Sequence, residues 1–310
     1  MMITRPLAVV GNVNVDLIIG PVAPWPNPGS EVMCPHDELR VGGAAGNAAL
    51  AWEAIGMPFQ IAANLGSDQF GAWLAAGFSA HSGRWARTGG ATTLSVGITH
   101  PDGERTFFTT PGHLPLLAWP EVEAMIDWPA LAGGHLLLCG CFLTERLTRD
   151  YGHLFARARA HDIAIVLDTG WPPDGWTDDI RTQALAWIGQ SGMVLFNDVE
   201  ARSLTGESET IAAARRLAGL LPESGVAVVK RGAQGALAVT QGALVEAAAP
   251  SVDVCDTIGA GDIFNAGFLA ALARGQSLPV ALKMAVETAS IAVSTHPRRY
   301  TSLAPAEMLP

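Results

Sequence analysis

Positive charge is scarce in this chain, with 19 Lys and Arg against 29 Asp and Glu and a formal net charge of −10. General nucleic-acid binding needs a basic footprint to neutralise phosphates, so that class is excluded. A nucleotide substrate is not excluded, because a few local donors suffice. Charged residues make up only 15% of the 310, which leaves no room for long charged tails. Cysteine is sparse too: Cys34, Cys139, Cys141 and Cys255 show no disulfide or zinc spacing. Cys139 and Cys141 would share one face of a strand, where buried thiols acting as small hydrophobes are the better reading than a metal pair. No cationic segment precedes an apolar core at the start, so no signal peptide is expected. The longest apolar run, Leu136 to Leu143, is far too short to span a bilayer. Repeats and low-complexity linkers are missing as well. The expectation is a soluble, cytoplasmic protein in a reducing compartment, built as one continuous domain over 1–310.

What is present is strand–helix alternation. Leu7 to Val10 is a short apolar run ending at Gly11, as in a buried strand. From 134 onward, strand cores at Leu136–Leu138, Ile163–Leu167, Met193–Phe196 and Val226–Val229 alternate with helical stretches around 145–160, 178–189 and 209–221. That is the mark of βα units on a parallel sheet. Asp168 and Asn197 end two of these strands and should meet in one crevice. Thr92 to Thr99 and Arg105 to Thr109, joined by the turn Pro101-Asp102-Gly103, read as a hairpin. In Asn12 to Ile19 polar and apolar residues alternate, so Asn14 and Asp16 share a face. Such groups at a strand's C-terminal end are placed to bind a ligand.

The most informative stretch is Asp256-Thr257-Ile258-Gly259-Ala260-Gly261-Asp262. It follows an extended segment, Leu244 to Cys255, and opens an apolar helix in which 264, 268, 271 and 272 recur at helical spacing. A helix N-terminus offers free N–H groups and the positive end of the macrodipole, and glycines there let a phosphate approach. Asp262 in the first turn could take a proton from a hydroxyl about to attack that phosphate. The combination suggests phosphoryl transfer to an alcohol. Taken alone, Gly-x-Gly-Asp is equally a glycine turn with an acidic helix start.

The longer string Asp-Thr-x-Gly-Ala-Gly-Asp resembles the C-terminal signature of the ribokinase-like, or PfkB, carbohydrate kinases. Gly42-Gly43 with Asn47 four residues later matches that family's other recurrent motif, and Asn64 to Gly71 is similar as well. Asn197-Asp-Val-Glu200 resembles its Asn-x-x-Glu segment, although by spacing it is also a helix capping box. Lys230 to Gly235 looks like its nucleotide loop.

The resemblance implies a ribokinase-like three-layer α/β/α fold with a mostly parallel central sheet. It also implies a small β-sheet lid from about 13–41 and 92–110. It implies ATP as donor, Mg²⁺ as cofactor and a sugar or sugar-like alcohol as acceptor. By the same resemblance Asp262 is the base, and the backbone of Gly259, Ala260 and Gly261 is an anion hole. Asn14, Asp16, Gly42, Gly43 and Asn47 hold the acceptor. Lys230, Gly232, Gly235 and Thr257 meet the nucleotide. Asn197 and Glu200 order Mg²⁺ through water, and Asp256 serves a monovalent cation, K⁺. Arg105 is either substrate-facing or a solvated hairpin residue. Ala289, Ser290 and Val293 are either core or the floor of an adenine pocket. A homodimer through the lid is expected.

The chain also departs from the family pattern. Cys141 stands where ribokinase has a sugar-contacting glutamate, so ribose specificity does not carry over. The loop Thr295-His-Pro-Arg-Arg299 lacks the glycine that accompanies the K⁺ site. A nucleoside kinase of the same superfamily and a non-catalytic sugar sensor on the kinase fold stay open as alternatives. A dinucleotide-binding oxidoreductase does not fit, because no Gly-x-Gly-x-x-Gly follows the first strand and Asp262 would be left unexplained.

Overall fold

The computed structural model describes residues 4–101 and 104–301, so Asp102 and Gly103 of the expected hairpin turn lie outside the described residues. Short aliphatic runs become strands. In chain order they are β1 (Leu7–Val10), β2 (Asn14–Gly20), β3 (His36–Gly42), β4 (Gln60–Ala62), β5 (Asn64–Leu65), β6 (Ala86–Arg87) and β7 (Leu94–Thr99). They continue with β8 (Arg105–Thr109), β9 (His135–Cys139), β10 (Ala164–Asp168), β11 (Met193–Asn197), β12 (Val226–Lys230), β13 (Ala236–Val239) and β14 (Leu244–Ala247).

Eight of them form one sheet in the order β14-β13-β12-β11-β10-β9-β1-β4. The six from β12 to β4 run parallel, and β13 and β14 join antiparallel. Every residue of β1 and β9 is buried. Such continuous apolar strands are stable only when helices cover both faces of the sheet. Because β9 to β12 are parallel, their C-terminal residues come to one edge, and this is what brings Asp168, Asn197 and Lys230 together. A second sheet, β3-β2-β7-β8, draws its strands from the segments around 13–41 and 92–110. Its β7–β8 pair is the expected antiparallel hairpin.

Three expectations need correction. Asn14 and Asp16 do not finish the first strand: the chain leaves the main sheet after Val10, and Asn14 begins β2 in the small sheet. The extended segment before Asp256 ladders only over Leu244–Ala247, since Pro250 has no N–H to donate and the residues around it are largely exposed. The helical stretch at 145–160 is two helices, Glu145–Arg149 and Tyr151–Ala160. The break comes at Asp150, whose N–H turns back to Leu147 O at 2.9 Å.

The helix Ala260–Ala273 is buried on most of its surface and packs between Leu278–Val293 and Ala44–Ala54. Gly267 permits the first contact: a Cβ there would come within 3.0 Å of Thr288 Cβ. Trp52, fully buried on Ala44–Ala54, makes the second and donates its Nε1–H to Ala266 O at 2.9 Å. Among the described residues no helix is long and apolar enough to cross a membrane. All four cysteines are free.

Because Trp52 ties the two helices that carry Asn47 and Asp262, Trp52→Ala is expected to cost about 3–5 kcal/mol of unfolding free energy. Chemical denaturation of the two proteins checks this, with Trp52→Phe losing distinctly less.

Candidate active site

A cleft of about 880 Å³ opens at the C-terminal edge of the parallel strands. Its floor is the start of the helix Ala260–Ala273. Gly259 has φ 76°, a left-handed conformation, and a Cβ there would lie 2.7 Å from Asn47 Nδ2. Glycine is therefore required twice over. The N–H groups of Gly259, Gly261 and Asp262 meet no acceptor among the described residues, whereas that of Ala260 turns back to Thr257 O at 3.2 Å. This end of a 14-residue helix thus presents backbone donors to the cleft.

Lys230 stands over the same turn: a Cβ on Gly261 would sit 3.4 Å from its Nζ. The ammonium donates to Asp168 Oδ2 at 2.8 Å and to Asn265 Oδ1 at 3.2 Å, and Asn265 Nδ2 donates to Asp168 Oδ2 at 2.5 Å. Burial opposes charging Lys230, but Asp168, Glu200 and Asp262 around it outweigh burial and hold its pKa above the ordinary lysine value. Asp262 accepts from Asn47 Nδ2 at 2.8 Å. Burial, with the charge of Asp168, pushes the Asp262 carboxyl up to about 6, against the opposing pull of Asn47 and Lys230. This is a carboxylate ionised at neutral pH yet basic enough to take a proton.

Asn197 and Glu200 form a complete capping box: Asn197 Oδ1 accepts from Glu200 N at 2.8 Å and Glu200 Oε2 accepts from Asn197 N at 2.9 Å. Both also line the cleft. Glu200 is 6% exposed; burial, followed by the nearby Asp168, raises its carboxyl to about 7. Among the described residues no three acidic, His or Cys side chains are close enough to hold a metal by themselves. A divalent ion still fits this donor set, since Asp168, Glu200 and Asp262 carry more negative charge than Lys230 balances. Mg²⁺ keeps most of its waters and needs only one or two carboxylates besides phosphate oxygens.

The glycine pair has a more specific role than leaving space for a ligand. A Cβ on Gly42 would fall 2.1 Å from Asp16 Cγ, and one on Gly43 would fall 2.4 Å from Asn12 O. The pair therefore makes room for the chain's own polar groups. Asn14 Nδ2 donates to Asp16 Oδ1 at 2.8 Å and to Ser95 Oγ at 3.3 Å. Burial lifts the Asp16 carboxyl to about 6, moderated by Arg40 and Asn14. Asn14 and Asp16 are 3% and 5% exposed and do not themselves line the cleft; Asn12, which does, donates to Asn14 Oδ1 at 3.4 Å.

The lining also takes in Gly232, Gly235, Thr257, Ala289, Ser290 and Val293, so the three residues on the last helix face the cleft. Arg105 lines it too and donates to Thr257 Oγ1. Cys141 is fully buried, and its neighbours Gly140 and Phe142 line the wall in its stead.

Asp256 does not fit a bound monovalent cation. Its Oδ2 accepts from Arg40 Nη1 at 2.5 Å and Arg298 Nη2 at 2.6 Å, and its Oδ1 accepts from Ile258 N at 2.8 Å. Burial opposes its ionisation, but these bonds and the two guanidinium charges hold its pKa below the usual carboxylate value.

Among the site residues that the sequence did not reveal are Asn12, Asn265, Arg40 and Arg298. Asn265 could have been found as a polar residue one turn after Asp262 in an apolar helix, and Asn12 as the first of the alternating polar residues. Arg40 and Arg298 had no local signal.

A model of the pfkB family carbohydrate kinases matches residues 4–303. The ribokinase of Arabidopsis thaliana is 25% identical over 299 residues, covering 93% of this chain and 76% of that protein. The 5-dehydro-2-deoxygluconokinase of Listeria monocytogenes is 28% identical over 169 residues, 52% of this chain and 51% of its own length. The structure of Arabidopsis thaliana ribokinase complexed with ribose and ATP superposes with TM-score 0.75 at 22% identity, over 94% of this chain and 93% of that one. The fold is therefore ribokinase-like, as expected.

The folded chain binds the protons of Asp16, Asp262 and Glu200 more tightly than the unfolded chain. Their contribution to stability is present below the ordinary carboxylate range and is lost as pH rises through about 6 for the two aspartates and about 7 for Glu200. Asp262→Asn should therefore melt several degrees higher than wild type at pH 8, with the gap closing near pH 4. Thermal melts across that range check it.

Proposed function

The chain belongs to the pfkB family of carbohydrate kinases, and from that membership we propose that it moves the γ-phosphoryl group of ATP to a hydroxyl of a sugar or sugar-like acceptor. The observation that carries the proposal is the convergence of the Asp262 carboxylate, the open N–H groups of the helix start and the Lys230 ammonium on the floor of one cleft. Asp262 orients the acceptor hydroxyl and takes its proton as the oxygen attacks the γ-phosphorus. The new O–P bond forms while the bond from phosphorus to the bridging oxygen breaks, and ADP leaves. The N–H groups of Gly259 and Gly261, with Lys230, meet the charge spread over the transferring group; that of Ala260 joins once it releases Thr257 O. Catalysis is then mainly positioning and electrostatics.

Gly232, Gly235 and Thr257, with Ala289, Ser290 and Val293, form the nucleotide side. The Arabidopsis ribokinase structure holds ATP together with ribose, which supports ATP as the donor. Asn197 and Glu200 would hold Mg²⁺ through its waters, and the ion would neutralise phosphate charge. Asn14, Asp16, Gly42, Gly43 and Asn47 form the acceptor side. The small sheet acts as a lid that excludes water from the transferring phosphoryl group.

A homodimer through that sheet is part of the same proposal. Leu39, Leu17, Val96 and Phe108 lie directly across from one another in register and so share one face. Leu39 and Phe108 are 43% and 54% exposed, and Trp25 stacks on Phe108 with centroids 6.3 Å apart. An apolar row of this kind on a small sheet is suited to a second copy of itself.

ADP release with Mg-ATP across sugars, sugar acids and nucleosides tests the activity. One acceptor should turn over, kcat/KM should rise with pH through about 6, and Asp262→Asn should lose about 10³-fold or more in kcat. Stabilisation by a sugar without turnover would favour a sensor, and failure to bind ATP would sink the proposal. For the assembly, light scattering should find a dimer that Phe108→Glu converts to monomer.

A further inference from the structure

The loop leading into the anion-binding helix start is held by charge drawn from two distant parts of the chain. Arg40 comes from β3 of the small sheet, Arg298 from the segment after the last helix, and both close on Asp256 Oδ2. Asp256 Oδ1 in turn accepts the Ile258 N–H, one residue before Gly259. Val293 O, at the same corner, takes the N–H groups of Cys255 at 2.7 Å and Asp256 at 3.1 Å. The side chains of Arg40 and Arg298 are 15% and 17% exposed, so water screens their charges only in part. Arg40 Nη1 also reaches Glu38 Oε2, at 3.4 Å. A monovalent cation at Asp256 would have to expel one guanidinium and sit beside the other.

We propose that Arg40 and Arg298 are a built-in counter-ion that positions the anion-hole loop, so that this enzyme works without a monovalent cation. Charge-assisted bonds of fixed geometry replace a mobile ion. Arg40 is also the register partner of Asp16 across β2 and β3. The same side chain therefore links the acceptor side of the small sheet to the loop behind the phosphate. Both arginines are positioning residues: they act through Asp256 and its bond to Ile258 N, and touch no reacting atom.

The test compares wild type, Arg298→Gln and Arg298→Lys in potassium chloride and in tetramethylammonium chloride at equal ionic strength, reading melting temperature and initial rate. Wild type should melt alike in both salts, with rates within about twofold. Arg298→Gln should melt lower in tetramethylammonium and lose about tenfold or more in kcat, since small misplacements at a reacting centre are costly. Its KM for ATP should change less. Potassium should restore part of both losses, because a cation binding only the folded state at the vacated Oδ2 stabilises it. Arg298→Lys, which keeps a charge there, should show less potassium dependence than the glutamine variant. Selective stabilisation or several-fold activation of wild type by potassium overturns the proposal. So does an Arg298→Gln protein that neither loses stability nor gains a potassium response. The rate arm rests on the kinase reading above. If no acceptor turns over, that reading fails while the melting arm still decides this one.

Discussion

A single ammonium group sits at the centre of the acidic floor of the cleft. Lys230, one of only two lysines in the chain, sits among Asp168, Glu200 and Asp262 and bonds directly to the first. Carboxylates crowded in a poorly solvated site repel one another, and burial drives Asp262 and Glu200 toward their neutral forms. The ammonium limits that drive at Asp262 and Glu200, whose carboxyls are left at about 6 and about 7. It also stands over Gly261, where the backbone donors of the helix start point. Positive charge and N–H groups thus converge on one place, beside the Asp262 carboxylate.

That convergence depends on the parallel sheet. Asp168 and Lys230 end β10 and β12, with β11 and its Asn197 between them. Because these strands run in one direction, their ends share an edge, and the side chains meet although 62 positions separate them in sequence. The antiparallel turn after β12 brings Gly232 and Gly235 to the same rim.

The small sheet is bonded to the loop before Gly259 rather than simply resting near it. Arg40 reaches Asp256, Arg105 reaches Thr257, and Asn47, just after β3, holds Asp262. The sheet, the loop and Asp262 are thus tied together. Its inner row carries Arg40, Asp16, Ser95 and Thr109 in register, while its outer row is apolar. One sheet presents a polar row on one face and an apolar row on the other because successive residues alternate between its faces.

The strand cores, the alternation of strand and helix, and the glycine turn with Asp262 were legible in the chain because each rests on local chemistry: runs, periods and turn residues. The motif at 256–262 pointed to a helix start that binds an anion, and the helix begins there. What could not be read were bonds between distant positions. Nothing near Arg298 says that it will close on Asp256, and nothing near Gly42 says that its missing Cβ admits the Asp16 carboxylate. Pairing of this kind depends on which elements the fold makes neighbours. Sequence by itself determined most of the elements and the glycine turn at the helix start, through backbone preference and hydrophobic period. Only the tertiary structure decided which charges neutralise which, because Coulomb energy and burial depend on distances in space, not on spacing along the chain.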